Sequence, residues 1–185
     1  GADELLFLDI GAREEGRSTL LEIIQSTAEQ CFMPLTVGGA VDNLDDIYSL
    51  LRAGADKVCI NTSAYNDPNL ISLGAHTFGN QCIVVSIDYK KNHKGWNEVF
   101  VDSGRKGTGL KVTEWARKVY QRGAGEILLT SIDREGTRNG CDITTIEAVS
   151  QKVNCPVIAS GGIGTLEHLV DAIVKGKAAA VAASS

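Results

Sequence analysis

Gly1-Ala2-Asp3-Glu4-Leu5-Leu6 is answered 122 positions later by Gly123-Ala124-Gly125-Glu126-Ile127-Leu128, and the match extends beyond these stretches. Pro34-Leu35-Thr36-Val37-Gly38-Gly39 returns, one residue longer, as Pro156-Val157-Ile158-Ala159-Ser160-Gly161-Gly162. Ala53-Gly54-Ala55-Asp56-Lys57-Val58 returns as Lys175-Gly176-Lys177-Ala178-Ala179-Ala180. Each copy reads strand, loop, helix. Units of that kind repeated over half a chain mark a barrel assembled from two halves, since solenoids repeat at much shorter periods. The doubling also places glycine-rich turns at matching points, which predicts two related anion sites.

Short apolar runs carry the strands: Leu5–Ile10, Leu35–Val37, Val58–Ile60, Ile83–Ile87, Ile127–Leu129, Val157–Ala159 and Ala180–Ala183. Such runs fit parallel strands covered by helices. The covering helices show as Leu20, Ile23, Ile24 and Thr27, and as Val112, Trp115, Ala116 and Val119, both at i, i+3, i+4, i+7 spacing. Asp67 before Pro68, and Thr165 before Leu166, are helix-start signals. An eight-unit barrel takes roughly 250 residues. The 185 residues here are therefore expected to form a single, incomplete (β/α)8 TIM-barrel domain over 1–185, lacking the first βα unit and the last helix. One connection, Lys90 to Gly109, is long enough to hold a hairpin with a strand at Trp96–Asp102, placed where a lid would sit.

With 43% apolar residues the chain can bury a substantial core. Its net charge of −5, with no clustered basic run, argues against nucleic acid or an anionic membrane as partner. Five cysteines without C-x-x-C or histidine spacing suggest neither a disulfide framework nor a zinc site, and read as reduced, mostly buried thiols. No apolar run approaches the roughly 20 residues of a membrane span. A soluble, cytoplasmic protein without a metal or other cofactor is expected.

Working groups in parallel α/β folds stand at the carboxyl ends of strands. Asp9, Asn61, Asp88 and Asp133 stand there. Asp88 reads either as a turn carboxylate or as a proton-transfer group raised in pKa by burial. Gly38-Gly39 and Ser160-Gly161-Gly162-Ile163-Gly164 read either as tight turns or as phosphate-binding loops, and their duplication points to a bisphosphate ligand. Asn61-Thr62-Ser63 and Ala183-Ser184-Ser185 are repeat partners that would complete the two cups, with Asp133-Arg134-Glu135-Gly136-Thr137 adding backbone amides. Glu4, Lys57 and Glu126 lie at the amino ends of strands, where charges ordinarily form a stabilising ring. His76, His93 and His168 read as surface residues.

The segments Gly1–Ile10, Ala53–Val58, Val85–Asp88 and, most specifically, Gly123–Arg134 together resemble the cyclase-subunit family of imidazole glycerol phosphate synthase, over essentially the whole chain. The resemblance implies a two-half barrel that needs no metal or redox cofactor and forms a heterodimer with a glutaminase subunit. Ammonia released by the glutaminase would pass through the barrel to a phosphoribulosyl-formimino aminoimidazole carboxamide ribotide. The products would be imidazole glycerol phosphate and aminoimidazole carboxamide ribotide. By position, Asp88 resembles a catalytic aspartate, and Asp9, Asp133 and Thr130 resemble substrate contacts. Gly39, Asn61 and Thr62 resemble one phosphate cup, and Gly136, Gly162, Ala183 and Ser184 the other. Glu4, Lys57 and Glu126 match a charged ammonia gate. The family's other catalytic aspartate and the gate arginine lie on a first strand outside this sequence, which implies an inactive fragment. Ala40 stands where the family has a third glycine and Glu135 where it has an aspartate. These two departures leave room for a paralogue that aminates a sugar for surface polysaccharide. A histidine-pathway isomerase shares the two-half barrel but would not need the charged gate. A non-catalytic glutaminase partner would need neither Asp88 nor the cups.

Overall fold

A computed structural model describes residues 2–8 and 17–183, so Asp9 and Ser184 fall outside the described residues. Seven parallel strands follow one another as β1 (Leu5–Leu8), β2 (Leu35–Gly38), β3 (Lys57–Ile60), β4 (Ile83–Lys91), β7 (Glu126–Ser131), β8 (Val157–Ser160) and β9 (Ala180–Ala182), paired in that order. Between them run α1 (Arg17–Gln30), α2 (Leu44–Arg52), α3 (Thr62–Asn66), α4 (Asn69–Phe78), α5 (Val112–Gln121), α6 (Ile143–Ser150) and α7 (Leu166–Val174). Within the expected Trp96–Asp102 strand lies β5 (Asn97–Val101), antiparallel to β4, and β6 (Lys106–Lys111), which the sequence did not mark, pairs with it to complete a hairpin. This is the βα order of the (β/α)8 TIM barrel.

The strands alternate after all, between two buried environments. On the outer face Leu35, Val37, Val58, Ile60, Ile83, Val85, Ile87, Ile127, Leu129, Val157 and Ala159 pack against the helices in one large core. Each fully buried Ile or Leu there is worth about 1.5–3 kcal/mol. On the inner face Cys59, Val84 and Leu128 meet Leu6, Ile158 and Ala182. Leu6 is on β1 and Ala182 on β9, the two ends of the strand order, so the sheet curls until its ends share one cluster. That cluster is the middle of the barrel lumen.

Capping follows the sequence. Asn43 accepts the Asp46 N–H at the start of α2, Asp142 the Thr145 N–H at α6, and Thr165 the His168 N–H at α7. Asp67 accepts the Asn69 N–H at 3.0 Å, but α4 begins at Asn69 with Pro68 at its cap, one residue later than the sequence suggests. Leu20 and Ile24 are buried as expected, but Ile23 is 45% exposed. The helices α1 and α7 flank the two ends of the strand order, and on α7 too the apolar face (Leu166, Val170, Ile173, Val174) is open. Of the free cysteines, Cys59 and Cys141 are buried and three are half-buried. His76 and His93 are exposed, and His168 is half-buried, its Nδ1 accepting the Gly164 N–H.

The hairpin is packed rather than loose. Val99 and Val101 are both buried, Val99 in one core with Tyr89 and the α5 residues Val112, Trp115, Ala116 and Val119. A polar network ties it down further: the Tyr89 hydroxyl donates to Asp142 Oδ2 at 3.3 Å, and the Asn97 amide donates to Thr145 Oγ1 at 2.6 Å and Asp142 Oδ2 at 3.4 Å. The Thr145 hydroxyl donates to the same carboxylate at 2.7 Å. Burial, with Asp142 beside it, lifts the Tyr89 phenol well above its ordinary pKa, so it stays a donor.

Candidate active site at the barrel mouth

Because lateral partners in a parallel sheet share a face, the strand register fixes which residues look into the lumen. Reading upward, the lowest layer holds Glu4, Thr36, Lys57 and Glu126, and the apolar ring around Cys59 follows. Ser86, Asp88 and Thr130 share that face at the upper end of β4 and β7, where Asp88 and Thr130 are partners.

Asp88 is the best-defined group at the mouth. Asn61 Nδ2 donates to its Oδ2 at 2.8 Å and the Ser86 hydroxyl to its Oδ1 at 3.4 Å. Burial raises its pKa above the ordinary carboxylate value despite those two hydrogen bonds, and the charge of Glu135 pushes the same way. A carboxyl so placed holds its proton more tightly than an exposed one, which suits it to proton transfer. Cys59, below it in the lumen, is pushed up to about 12 by burial and by the Asp88 charge, so it is an inert thiol.

The residues expected in the two cups lie at strand ends and in the loops that follow them. Gly39 (φ 128) leads from β2 into Ala40, which adopts φ 46, a left-handed conformation that costs a residue with a Cβ. A glycine, which the family resemblance implies at this position, would adopt that conformation without the cost. The Asn61 side-chain amide is engaged with Asp88. The Thr62 hydroxyl accepts the Asp102 N–H at 3.0 Å, so the β5–β6 turn rests against this cup. On the other side Gly136 (φ 72) stands in open space. The carbonyl of Gly162 (φ 88) accepts the Gly140 N–H at 2.7 Å, and the Gly140 carbonyl fills the space a Cβ on Gly162 would need. Asp133 is exposed and accepts the Lys91 N–H at 2.8 Å, closing the end of β4. Thr130 and Ala183 lie at the ends of β7 and β9. Among the described residues no three His, Cys, Asp or Glu side chains converge on a metal position.

At the floor, Lys57 Nζ lies 3.1 Å from Glu4 and 2.6 Å from Glu126, and the Thr36 hydroxyl donates to Glu4 at 2.7 Å. Burial alone would lower the Lys57 pKa, but the hydrogen bonds and charges of Glu126 and Glu4 outweigh it and raise it. The second oxygen of Glu126 is buried without a partner among the described residues. With Glu4 just before β1, Lys57 on β3 and Glu126 on β7, the ion pairs join strands that are not neighbours in the sheet and so cross the lumen.

The family described as "Histidine biosynthesis protein" matches residues 1–185. Imidazole glycerol phosphate synthase subunit HisF of Caulobacter vibrioides (strain NA1000 / CB15N) is 57% identical over 187 residues, covering 100% of this chain and 72% of the relative. The chain belongs to the HisF family. HisF of Prochlorococcus marinus (strain NATL1A) is 55% identical, with 73% of its length covered. HisF of Methanoregula boonei is 50% identical over 200 residues, with 75% covered. The family resemblance carried by Gly123–Arg134 agrees with these comparisons. Sequence reasoning overlooked Lys90, which shares the lumen-facing side of β4 with Ser86 and Asp88; two-residue spacing along that strand was the available signal. Among the described residues no helix is long and apolar enough to cross a membrane.

Proposed function

We propose that this chain is the barrel of a cytoplasmic, ammonia-dependent cyclase, acting as one domain in imidazole glycerol phosphate synthase. The reaction joins ammonia to phosphoribulosyl-formimino aminoimidazole carboxamide ribotide and releases imidazole glycerol phosphate and aminoimidazole carboxamide ribotide. The observation that carries this reading is the stacking of three layers: a charged floor at Lys57, an apolar ring around Cys59, and a buried, pKa-raised Asp88 at the mouth. An apolar ring is passable to neutral ammonia and costly to an ammonium ion. Asp88 then serves as general acid and base for ammonia addition and ring closure, with Asn61 fixing its orientation.

In this proposal Asp9, Thr130 and Asp133 contact the substrate. One phosphate sits at Gly39, Asn61 and Thr62, and the other at Gly136, Gly162, Ala183 and Ser184. Glu4, Lys57 and Glu126 form the gate, and the glutaminase subunit docks on the floor around it. Phe32, on the loop between α1 and β2, supports that face as an interface, because it is fully exposed. Its loop neighbour Pro34 accepts the N–H of Leu5, next to Glu4.

The test is ammonium-dependent consumption of the formimino ribotide bisphosphate by the full-length protein. Turnover with both products formed is the expected result. A folded protein that leaves this substrate untouched would overturn the reading in favour of a sugar-aminating paralogue or a non-catalytic partner.

A further inference from the structure

Lys90 occupies an unusual position for a cation. It follows Asp88 by two residues on β4, so it stands on the same face at the mouth of the lumen. Among the described residues no carboxylate lies within ion-pair distance of its ammonium, which instead sits 4.3 Å from the centre of the Phe100 ring. Its cross-strand partner is Glu98. That carboxylate is already engaged: the Asn92 side-chain amide and the Gly109 N–H each donate to it at 2.8 Å. Phe100 is itself the strand partner of Asp88, and on the opposite face of β5 Val99 is buried in the core that includes α5. The hairpin thus holds an aromatic ring at the mouth, with an ammonium resting on it.

The remaining groups at the mouth make that ammonium conspicuous. Asp88, Asp133 and Glu135 are acidic, Arg134 between the last two stands on the Gly162 side, and the chain as a whole carries −5. The donors expected in the cups are backbone N–H groups, the Asn61 amide and the Thr62 and Ser184 hydroxyls, all neutral. A phosphate dianion entering this field needs a positive charge, and a lysine is well suited as a mobile point charge for it. Cation–π contact is weak enough to be exchanged for such a partner. The turn beyond Phe100 rests on Thr62 through the Asp102 N–H, which brings this side of the hairpin to the Gly39–Asn61–Thr62 cup.

We propose that Lys90 is a phosphate-binding residue. Its ammonium is stored on the Phe100 ring when the site is empty and moves onto the substrate phosphate on the hairpin side of the mouth. The inference rests on the reading of the mouth as a bisphosphate site, and names a cation for the Gly39–Asn61–Thr62 cup, whereas Arg134 and Arg138 already lie beside Gly162 and Gly164 on the other side.

Two measurements on the full-length protein separate the inference from that reading. Calorimetric binding of inorganic phosphate reads the cation, and ammonium-dependent turnover of the bisphosphate reads the function. Lys90→Met should weaken phosphate binding and raise KM by about 10–100-fold, leave kcat within about threefold, and flatten the salt dependence of kcat/KM. Lys90→Arg should restore most of the affinity. Phe100→Leu, which frees the ammonium without removing it, should leave KM unchanged or lower. Phosphate affinity and KM within about twofold of the parent in Lys90→Met would overturn the inference, as would a fall in kcat at constant KM. A rise in KM in Phe100→Leu equal to that in Lys90→Met would make the pair structural and overturn it as well. A parent protein that binds phosphate but does not turn the substrate over would instead remove the functional reading.

Discussion

Gly38 borders the apolar ring of the lumen with no room for a side chain, and filling it is the sharpest test of the passage. A Cβ there would lie 2.8 Å from Leu8 Cδ2, 2.9 Å from Cys59 Cβ and 2.9 Å from the Cys59 carbonyl oxygen. Two of those atoms belong to residue 59 on the neighbouring strand, so the methyl of Gly38→Ala cannot be absorbed by rotating one flexible side chain. Overpacking of this kind costs about 1–3 kcal/mol. For a chain of this size each kcal/mol shifts the melting temperature by about 2–4 °C, so a fall of about 2–12 °C is expected. The same methyl enters the lumen between Lys57 and Asp88. Turnover fed by glutamine through the partner subunit should therefore fall at least about tenfold, a barrier increase of about 1.4 kcal/mol, relative to turnover fed by ammonium salt from the open mouth. The assay is paired: a thermal melt, and steady-state rates with the two nitrogen sources. An unchanged melting temperature would refute the packing argument, and an unchanged rate ratio would refute passage through the lumen.

Three further outcomes follow from the site. Asp88→Asn should lower turnover by about a hundred- to ten-thousandfold while ligand affinity stays within about tenfold. Because burial raises the folded-state pKa of Asp88, the folded protein holds more protons than the unfolded chain between the two values, and stability falls as pH rises across that window; melting curves against pH should lose that slope in Asp88→Asn. Lys57→Ala leaves Glu4 and Glu126 facing each other, which should cost about 1–3 kcal/mol, between an exposed and a fully buried pair, and should reduce glutamine-fed turnover more than ammonium-fed turnover. The raised Lys57 pKa means that its contribution is complete below pH 10.5 and lost as pH rises through the folded value, so denaturant melts at alkaline pH should converge for parent and variant. Ala40→Gly should stabilise by about 0.5–1 kcal/mol, since relief of the left-handed strain of about 1–2 kcal/mol exceeds the extra freedom glycine brings to the unfolded chain; a lower urea midpoint would contradict the φ of 46.

Strands and barrel class were legible because the repeat and the apolar runs are strong local signals. The strand β6 was not: Lys-Gly-Thr-Gly-Leu-Lys over 106–111 has neither apolar run nor β propensity, and pairing with β5 makes it a strand. Helical spacing placed Ile23 on a buried stripe, but spacing cannot say whether a neighbouring helix covers it. At the mouth, residue type and strand end pointed to Asp88 and Asn61, whereas the hydrogen bond between them depends on two strands becoming neighbours. Asp133 looked identical in kind to Asp88, and only the fold distinguishes a carboxylate closing a strand end from one facing the lumen. Glu4, Lys57 and Glu126 were expected together, but the geometry by which one ammonium bridges two carboxylates was not legible before the lumen closed around them.

The network joining Asn97 and Tyr89 to Asp142 and Thr145 crosses from the first copy of the repeat to the second. A barrel of two similar halves invites the exchange of halves between relatives, by recombination or in the laboratory. Any crossover point between positions 97 and 142 draws the hairpin amide and its carboxylate from different parents. Chimeras whose parents differ at those positions should inherit both cores intact and yet lose the lock that holds the hairpin over the mouth. The joint between the halves, more than either half, then sets which exchanges yield a working barrel.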